Sequence, residues 1–276
     1  MILCAVDDSD AAGPVLDTGR WLADALREDL VVVHVVGSGD QPGDLVGKVR
    51  ARLGDETADV RLIAGSPVEA IQAAADEQQP ELLVVGSRGR GRLQAAVLGS
   101  VSRDLLSEAR HPVVVVPPGA VAKDPATGSA SVVCGVDGSA QALAGAAFAG
   151  RLARRLDYRP IVVHARQNVR AALAYPRARS ETPPVTGQSD AVDKRADEVL
   201  RQAVDAAGAG ATGVIEPGPP AEVLESVADR EAARLIVITA RGEGSLSATL
   251  LGSVAADLTA AATHPVVVLS EAAVSA

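Results

Sequence analysis

The sequence predicts two consecutive α/β domains, each a five-stranded, doubly wound parallel sheet flanked by helices, and three observations lead there. A glycine-spaced element occurs twice, as VVGSRGRGRLQAAVLGSV from Val84 to Val101 and VITARGEGSLSATLLGSV from Val237 to Val254. Short Val/Leu/Ile runs without polar alternation recur along the chain, as in strands covered on both faces. Helix-length stretches separate these runs, and alternating strand and helix builds a parallel sheet through crossovers.

In the first copy the strand-like runs lie at 2–6, 30–36, 60–63, 82–86 and 112–116. Helical stretches fall between them. They are Asp10 to Arg27, with Leu16, Leu22 and Leu26 on one side, then Leu45 to Leu53, Pro67 to Glu77, and Val101 to Ala109. The second copy places strands near 132–136, 161–165, 213–216, 234–239 and 265–269. Four further segments repeat. ILCAVDDSDAAGPVL from Ile2 returns as VVCGVDGSAQALAGA from Val132, and VVVHVV at 31–36 as IVVHAR at 161–166. GSPVEAI from Gly65 returns as GPPAEVL from Gly218, and HPVVVVP from His111 as HPVVVLS from His264. The offset is 130 at the first two and 153 afterwards, so the second copy carries about 23 extra residues near 167–188. That stretch is rich in Arg, Pro, Ser and Thr and reads as an exposed loop. Residues 118–130 are small, polar and unpatterned and read as a linker between domains 1–117 and 131–276.

A chain of 276 residues supplies each copy with enough sequence for its own core. The formal charge of −9 argues against general nucleic-acid binding, which needs a basic footprint. The aromatics are Trp21, Phe148, Tyr158 and Tyr175, too few for a base-stacking platform. Cys4 and Cys134 take the same place in the two repeats, which predicts buried small hydrophobes and no disulfide. No apolar run approaches the ~20 residues that span a bilayer, and no signal-peptide pattern precedes the first strand, so a cytoplasmic protein is expected. His34 and His164 match each other, as do His111 and His264. Repeat symmetry explains all four, and none has a second metal-ligating partner at ligand spacing.

Ligands of open α/β sheets bind outside the carboxyl ends of the strands, where the winding reverses, and three pieces of each repeat converge there. The first is the end of strand one, VDDS and VDGS, where Asp7 or Asp137 leaves the sheet and Ser9 or Ser139 can cap the next helix. Such a carboxylate can accept bonds from an adenine amine or a ribose hydroxyl. The second is Gly86-Ser-Arg-Gly89-Arg-Gly91, and the third is Gly99-Ser100 at a predicted helix start. Glycine lets backbone N–H groups approach a bulky anion, and the helix start adds free donors and partial positive charge, which suits phosphate. Ser100 and Ser102 offer hydroxyls to phosphate or act as helix caps. No P-loop sequence occurs, and GSRGRG has the wrong spacing for a dinucleotide fingerprint.

The pattern resembles the universal stress protein family, whose ATP-binding members carry Gly-x2-Gly-x9-Gly-Ser/Thr, reproduced here by Gly86, Gly89, Gly99 and Ser100. The resemblance covers both halves, so the chain looks like a tandem of two such domains. It implies an adenine nucleotide as cofactor, ATP with Mg²⁺ arriving on the triphosphate. It places the adenosine by Ala5, Val6 and Asp7, the base on the backbone at Val35, and ribose and phosphates on Val85, Gly86, Arg88, Gly89, Gly99, Ser100, Val101 and Ser102. The counterparts are Asp137, Ala165, Thr239, Gly242, Gly252, Ser253 and Val254.

The copies are not expected to be equivalent. Thr239 replaces Gly86, and the three arginines Arg88, Arg90 and Arg92 become Arg241 offset by Glu243, which favours tighter binding in the first domain. Against this, the second copy keeps Asp137-Gly138-Ser139 where the first has Asp8 in the glycine position. Valine runs at 113–116 and 266–268 predict an apolar last strand that something must cover. The family resemblance implies pairing of fifth strands, here between the two halves of one chain, with a homodimer also possible. A loop or the C-terminal segment is the other candidate cover. Three readings of function follow. The chain is a nucleotide-binding stress-response regulator, a slow ATPase or phosphotransferase, or a nucleotide-free oligomerisation and partner-binding module. The loop supplies no evident general base for attack on a γ-phosphate, which puts the first reading ahead and predicts no catalytic residue.

Overall fold

A computed structural model describes residues 1–9, 11–37, 43–88, 98–120, 130–166, 188–242 and 251–275. The first half runs β1 (Ile2–Ala5), α1 (Ala12–Leu26), β2 (Leu30–Val36), α2 (Leu45–Leu53), β3 (Asp59–Ala64), α3 (Pro67–Gln78), β4 (Leu82–Gly86), α4 (Ser100–Glu108) and β5 (Val113–Val116). The second runs β6 (Ser131–Gly135), α5 (Ala140–Arg155), β7 (Arg159–Arg166), α6 (Gln188–Ala207), β8 (Thr212–Pro217), α7 (Pro220–Arg230), β9 (Ala233–Thr239), α8 (Ser253–Ala261), β10 (Val266–Leu269) and α9 (Glu271–Ser275).

The strands form one ten-stranded sheet in the order β3-β2-β1-β4-β5-β10-β9-β6-β7-β8. Within each half all pairings are parallel, as the unalternating valine runs require. β5 and β10 pair antiparallel across the middle, with Val113, Val114 and Val115 opposite Val268, Val267 and Val266. Every one of these six valines is fully buried.

Alternate residues of each strand feed two apolar layers that run through both halves. Ile2, Cys4 and Val32 face the layer under α1, α2, α5 and α6, whereas Leu3, Ala5 and Val33 face the layer under α3, α4, α7 and α8. The α1 face carrying Leu16, Leu22 and Leu26 is buried as its spacing predicts. Gly19 on that face lets α1 sit directly on Cys4, since a Cβ there would lie 2.0 Å from Sγ. Burial pushes the Cys4 and Cys134 thiols up to about 12, so both are neutral packing groups. No helix among the described residues is long and apolar enough to cross a membrane.

Two features differ from the sequence reading. α6 begins at Gln188, so the second copy's extra length ends in a helix of 20 residues against nine in α2. A short α9 follows β10, where no helix was expected. The linker interior at 121–129 and the loop at 167–187 lie outside the described residues.

Candidate functional site

In the strand order the winding reverses between β1 and β4, and again between β6 and β9. Outside the carboxyl ends of β1, β2 and β4 lies a crevice of about 590 Å³. Ala5, Val6, Asp7, Val35, Val85, Gly86, Arg88, Gly99, Ser100, Val101 and Ser102 all line it. Gly89 falls outside the described residues.

Three local arrangements shape the crevice. The Asp7 carboxylate leaves β1 and is held by Ser9, whose backbone N–H (3.0 Å) and hydroxyl (2.5 Å) both donate to Oδ1. Oδ2 accepts no hydrogen bond among the described residues. Gly86 ends β4 where a side chain has no room: a Cβ would lie 2.9 Å from the Arg88 carbonyl oxygen and 3.3 Å from Val15 Cγ2. Gly99 then caps α4 with no side-chain acceptor, and its N–H donates to the Ser87 carbonyl at 2.8 Å. The first-turn N–H groups of Ser100, Val101 and Ser102 have no intrahelical partner by geometry, so they carry the donors and partial positive charge of a helix start.

Two serine roles need correction. Ser9 does not cap α1, whose first turn follows Ala11 without a side-chain cap, because its hydroxyl is committed to Asp7. The counterpart Ser139 does cap α5, accepting from the Ala142 N–H at 3.1 Å. The Ser102 hydroxyl proton is also spent, donated to the Gly86 carbonyl at 2.6 Å. Ser102 thus fastens α4 to the glycine turn and offers an anion only its backbone N–H.

Two side chains in the crevice wall each bury a nitrogen that has no hydrogen-bond partner among the described residues. His34, discounted from sequence as structural, lines it; the ring bonds the Val6 carbonyl through Nδ1 at 2.8 Å, and Nε2 is buried without a hydrogen bond. Arg88 reaches across the seam to the Ala260 carbonyl at 3.5 Å, and its Nε is likewise buried and unbonded. Orphaned buried polar atoms are rare in native structures; of the five among the described residues, these two sit in the wall of this crevice. Sequence reasoning also missed Val15, Ile71, Leu98 and Leu105, which give the crevice its apolar side. Nothing in a one-dimensional pattern separates such residues from core.

The corresponding residues of the second half are arranged differently. A Cβ on Gly242 would lie 2.0 Å from Asp137 Oδ2, so that carboxylate rests against the glycine loop; its Oδ1 accepts from the Ser139 N–H. Leu224 Cδ1 stands 2.8 Å from where a Cβ of Gly135, the counterpart of Ala5, would be, and Val199 crowds Gly138 in the same way. Thr239 donates its hydroxyl to the Arg241 carbonyl at 2.7 Å, and Arg241 approaches Glu271 of α9 at 3.9 Å. Gly252 caps α8 ahead of Ser253 and Val254 as Gly99 caps α4, and Ala165 lies near the end of β7.

The profile of the universal stress protein family matches residues 41–117 and 130–270. The chain belongs to the universal stress protein family. It is similar to the universal stress protein Rv2623 of Mycobacterium tuberculosis, with 30% identity over 259 residues, 91% of this chain and 78% of that one. Rv2005c from the same organism is 33% identical over 217 residues, covering 75% and 67%. Among solved structures, a protein of Pseudomonas aeruginosa, PA1789, superposes with a TM-score of 0.69 at 18% identity, covering 99% of this chain and 93% of its own. A universal stress protein from Archaeoglobus fulgidus gives 0.66 at 20% identity, covering 98% and 97%. At these identities the two structures speak for the universal stress protein fold alone.

Proposed function

We propose that the first-half crevice holds one adenine nucleotide, ATP foremost, and that its occupancy regulates the partners or assembly of the protein in a stress response. The observation that carries this reading is the crevice itself. An apolar slot between β1, β2 and α3 opens onto a side-chain-free turn and an uncapped helix start, the shape and charge of a purine joined to a phosphate chain. Asp7, held by Ser9, accepts from the adenine amine or the ribose hydroxyls. The backbone of Ala5 and Val35 flanks the base, while Gly86, Arg88, Gly99, Ser100, Val101 and Ser102 receive ribose and phosphates. Among the described residues no group of three carboxylates, histidines or cysteines can cage a metal, so Mg²⁺ is assigned to the oxygens of the triphosphate.

We read the two halves as domains, 1–117 and 131–276, joined by a 118–130 linker and paired within the chain through β5 and β10. The second domain serves the pairing, and the same end of its sheet, where Asp137 rests against Gly242 while Leu224 and Val199 crowd Gly135 and Gly138, stays without nucleotide. Two buried unpaired cysteines suit a reducing cytoplasm.

Freshly purified protein, denatured and weighed for released small molecules, is expected to yield an adenine nucleotide at no more than one per chain. Two per chain contradicts the single-site reading. Labelled ATP separates binder from enzyme: the proposal expects stoichiometric retention, and sustained release of product or covalent label supports the enzyme instead.

A further inference from the structure

One residue that lines the first-half crevice has no place in the glycine motif. Arg103, the fourth residue of α4, borders the crevice beside Gly99, Ser100, Val101 and Ser102, and its side chain is exposed at the mouth.

The helix aims it there. The Arg103 backbone N–H donates to the Gly99 carbonyl at 3.0 Å, the first bond of α4, and long side chains on a helix lean toward its amino end. The guanidinium accordingly turns back past the helix start, where Nη2 donates to the Leu98 carbonyl at 3.2 Å. Helix electrostatics disfavour that choice of residue. A cation in the first turn meets the positive end of the macrodipole, where an acidic side chain is the stabilising one. An anion seated between the guanidinium and the free N–H groups turns the conflict into attraction.

The neighbouring charges leave Arg103 available. Arg88, Arg103 and one carboxylate, Asp7, are the charged residues of the crevice lining, and Ser9 already holds Asp7. Among the described residues the Arg88 guanidinium bonds the Ala260 carbonyl and that of Arg103 the Leu98 carbonyl, and neither pairs with a carboxylate. Arg88 is half-buried and drawn across the seam, whereas Arg103 stands exposed with one of its five N–H donors in use. The second half does not repeat the arrangement, since Arg103 corresponds to Ala256.

We propose that Arg103 takes the phosphates beyond the first, so that the crevice selects adenosine di- and triphosphate over the monophosphate. This rests on reading the crevice as an adenine-nucleotide site. The purine belongs to the apolar interior of Val15, Ile71, Leu98 and Leu105, which leaves the tail of the phosphate chain at the exposed mouth. Arginine suits that position because its planar fork matches a phosphate bidentately.

Calorimetric titration with ATP, ADP and AMP, at constant ionic strength and constant Mg²⁺, tests the assignment. The parent chain is expected to bind ATP and ADP at least about tenfold more tightly than AMP. Arg103→Gln should weaken ATP at least about tenfold, the weight of one charge-assisted hydrogen bond, and leave AMP unchanged. Arg103→Ala, the residue that the second half carries within an intact α8, serves as the second variant where Arg103→Gln fails to show a cooperative melt. Equal affinities of the parent for ATP and AMP, ATP binding indifferent to the substitution, or ATP and AMP weakened alike overturns the proposal and leaves the nucleotide reading standing. No heat from the parent with any of the three overturns both.

Discussion

Two positions in contact exchange their sizes between the repeats. Gly86 faces Val15 in the first half, and their counterparts are Thr239 and Gly145, where a Cβ on Gly145 would lie 3.1 Å from Thr239 Cγ2. The space one partner gives up is taken by the other. Thr239 then ties its hydroxyl to the Arg241 carbonyl, the group whose equivalent in the first half, the Arg88 carbonyl, forbids a Cβ at 86. Gly86→Val is therefore expected to weaken nucleotide binding at least about tenfold in an equilibrium titration, whereas Thr239→Gly leaves it unaltered. Asp7, Gly86, Arg88 and Gly99 were legible in the sequence because a repeated glycine spacing and a carboxylate at a strand end are local signals. Val15 and Ile71 were not, since an apolar residue reads the same whether it lines a cavity or fills one. A second residue-scale expectation concerns acid. Burial raises the Glu225 carboxyl, but hydrogen bonds from His264 and Thr263 outweigh it and hold the group below its ordinary 4.5. Its stabilising contribution is present above that value and lost as pH falls through the folded pKa. The first half has Gln72 in its place. Glu225→Gln should flatten that part of the acid limb in melts across pH 3 to 6, a window set around the reference carboxylate values; an unchanged profile counts against the pairing.

At the scale of elements, the starts of α1 and α5 show how one residue shifts a helix. Gly138 adopts φ +94°, which a glycine tolerates, and Ser139 then caps α5. Asp8 takes no such conformation, the turn closes through Ser9 and Asp7, and α1 begins at Ala12, two places later than its counterpart. Ser139→Ala should cost about 1 kcal/mol in urea unfolding. Ser9→Ala should cost less stability and act instead on nucleotide affinity, through the freed Asp7. Equal losses of stability would contradict the assignment. Strand positions were readable to within two residues because both-face burial leaves an uninterrupted apolar run. The strand order was not, since it depends on crossovers that no run of valines records.

For the whole molecule, one ten-stranded sheet runs through both halves. Beyond the valine seam, Arg155 of α5 bonds Glu28 (3.1 Å) and Glu81 of the first half, and Ser270 donates to the Ala109 carbonyl at 2.5 Å. An edge strand's sequence says that it must be covered and not by what; the family resemblance alone favoured pairing over shielding, and in the sheet β5 lies beside β10. Val114→Asp puts a carboxylate in that seam with no partner, at a cost of about 3 to 5 kcal/mol, which thermal unfolding should report as a large drop in midpoint. A melt like that of the parent chain would mean the seam contributes little. The central claim is that one crevice per chain takes a purine nucleotide at its glycine turn. Calorimetric titration with ATP tests it most directly: the account predicts saturable heat with a stoichiometry of one, lost in Gly86→Val, and it is contradicted by two equivalent sites, by affinity indifferent to that substitution, or by no heat at millimolar ATP.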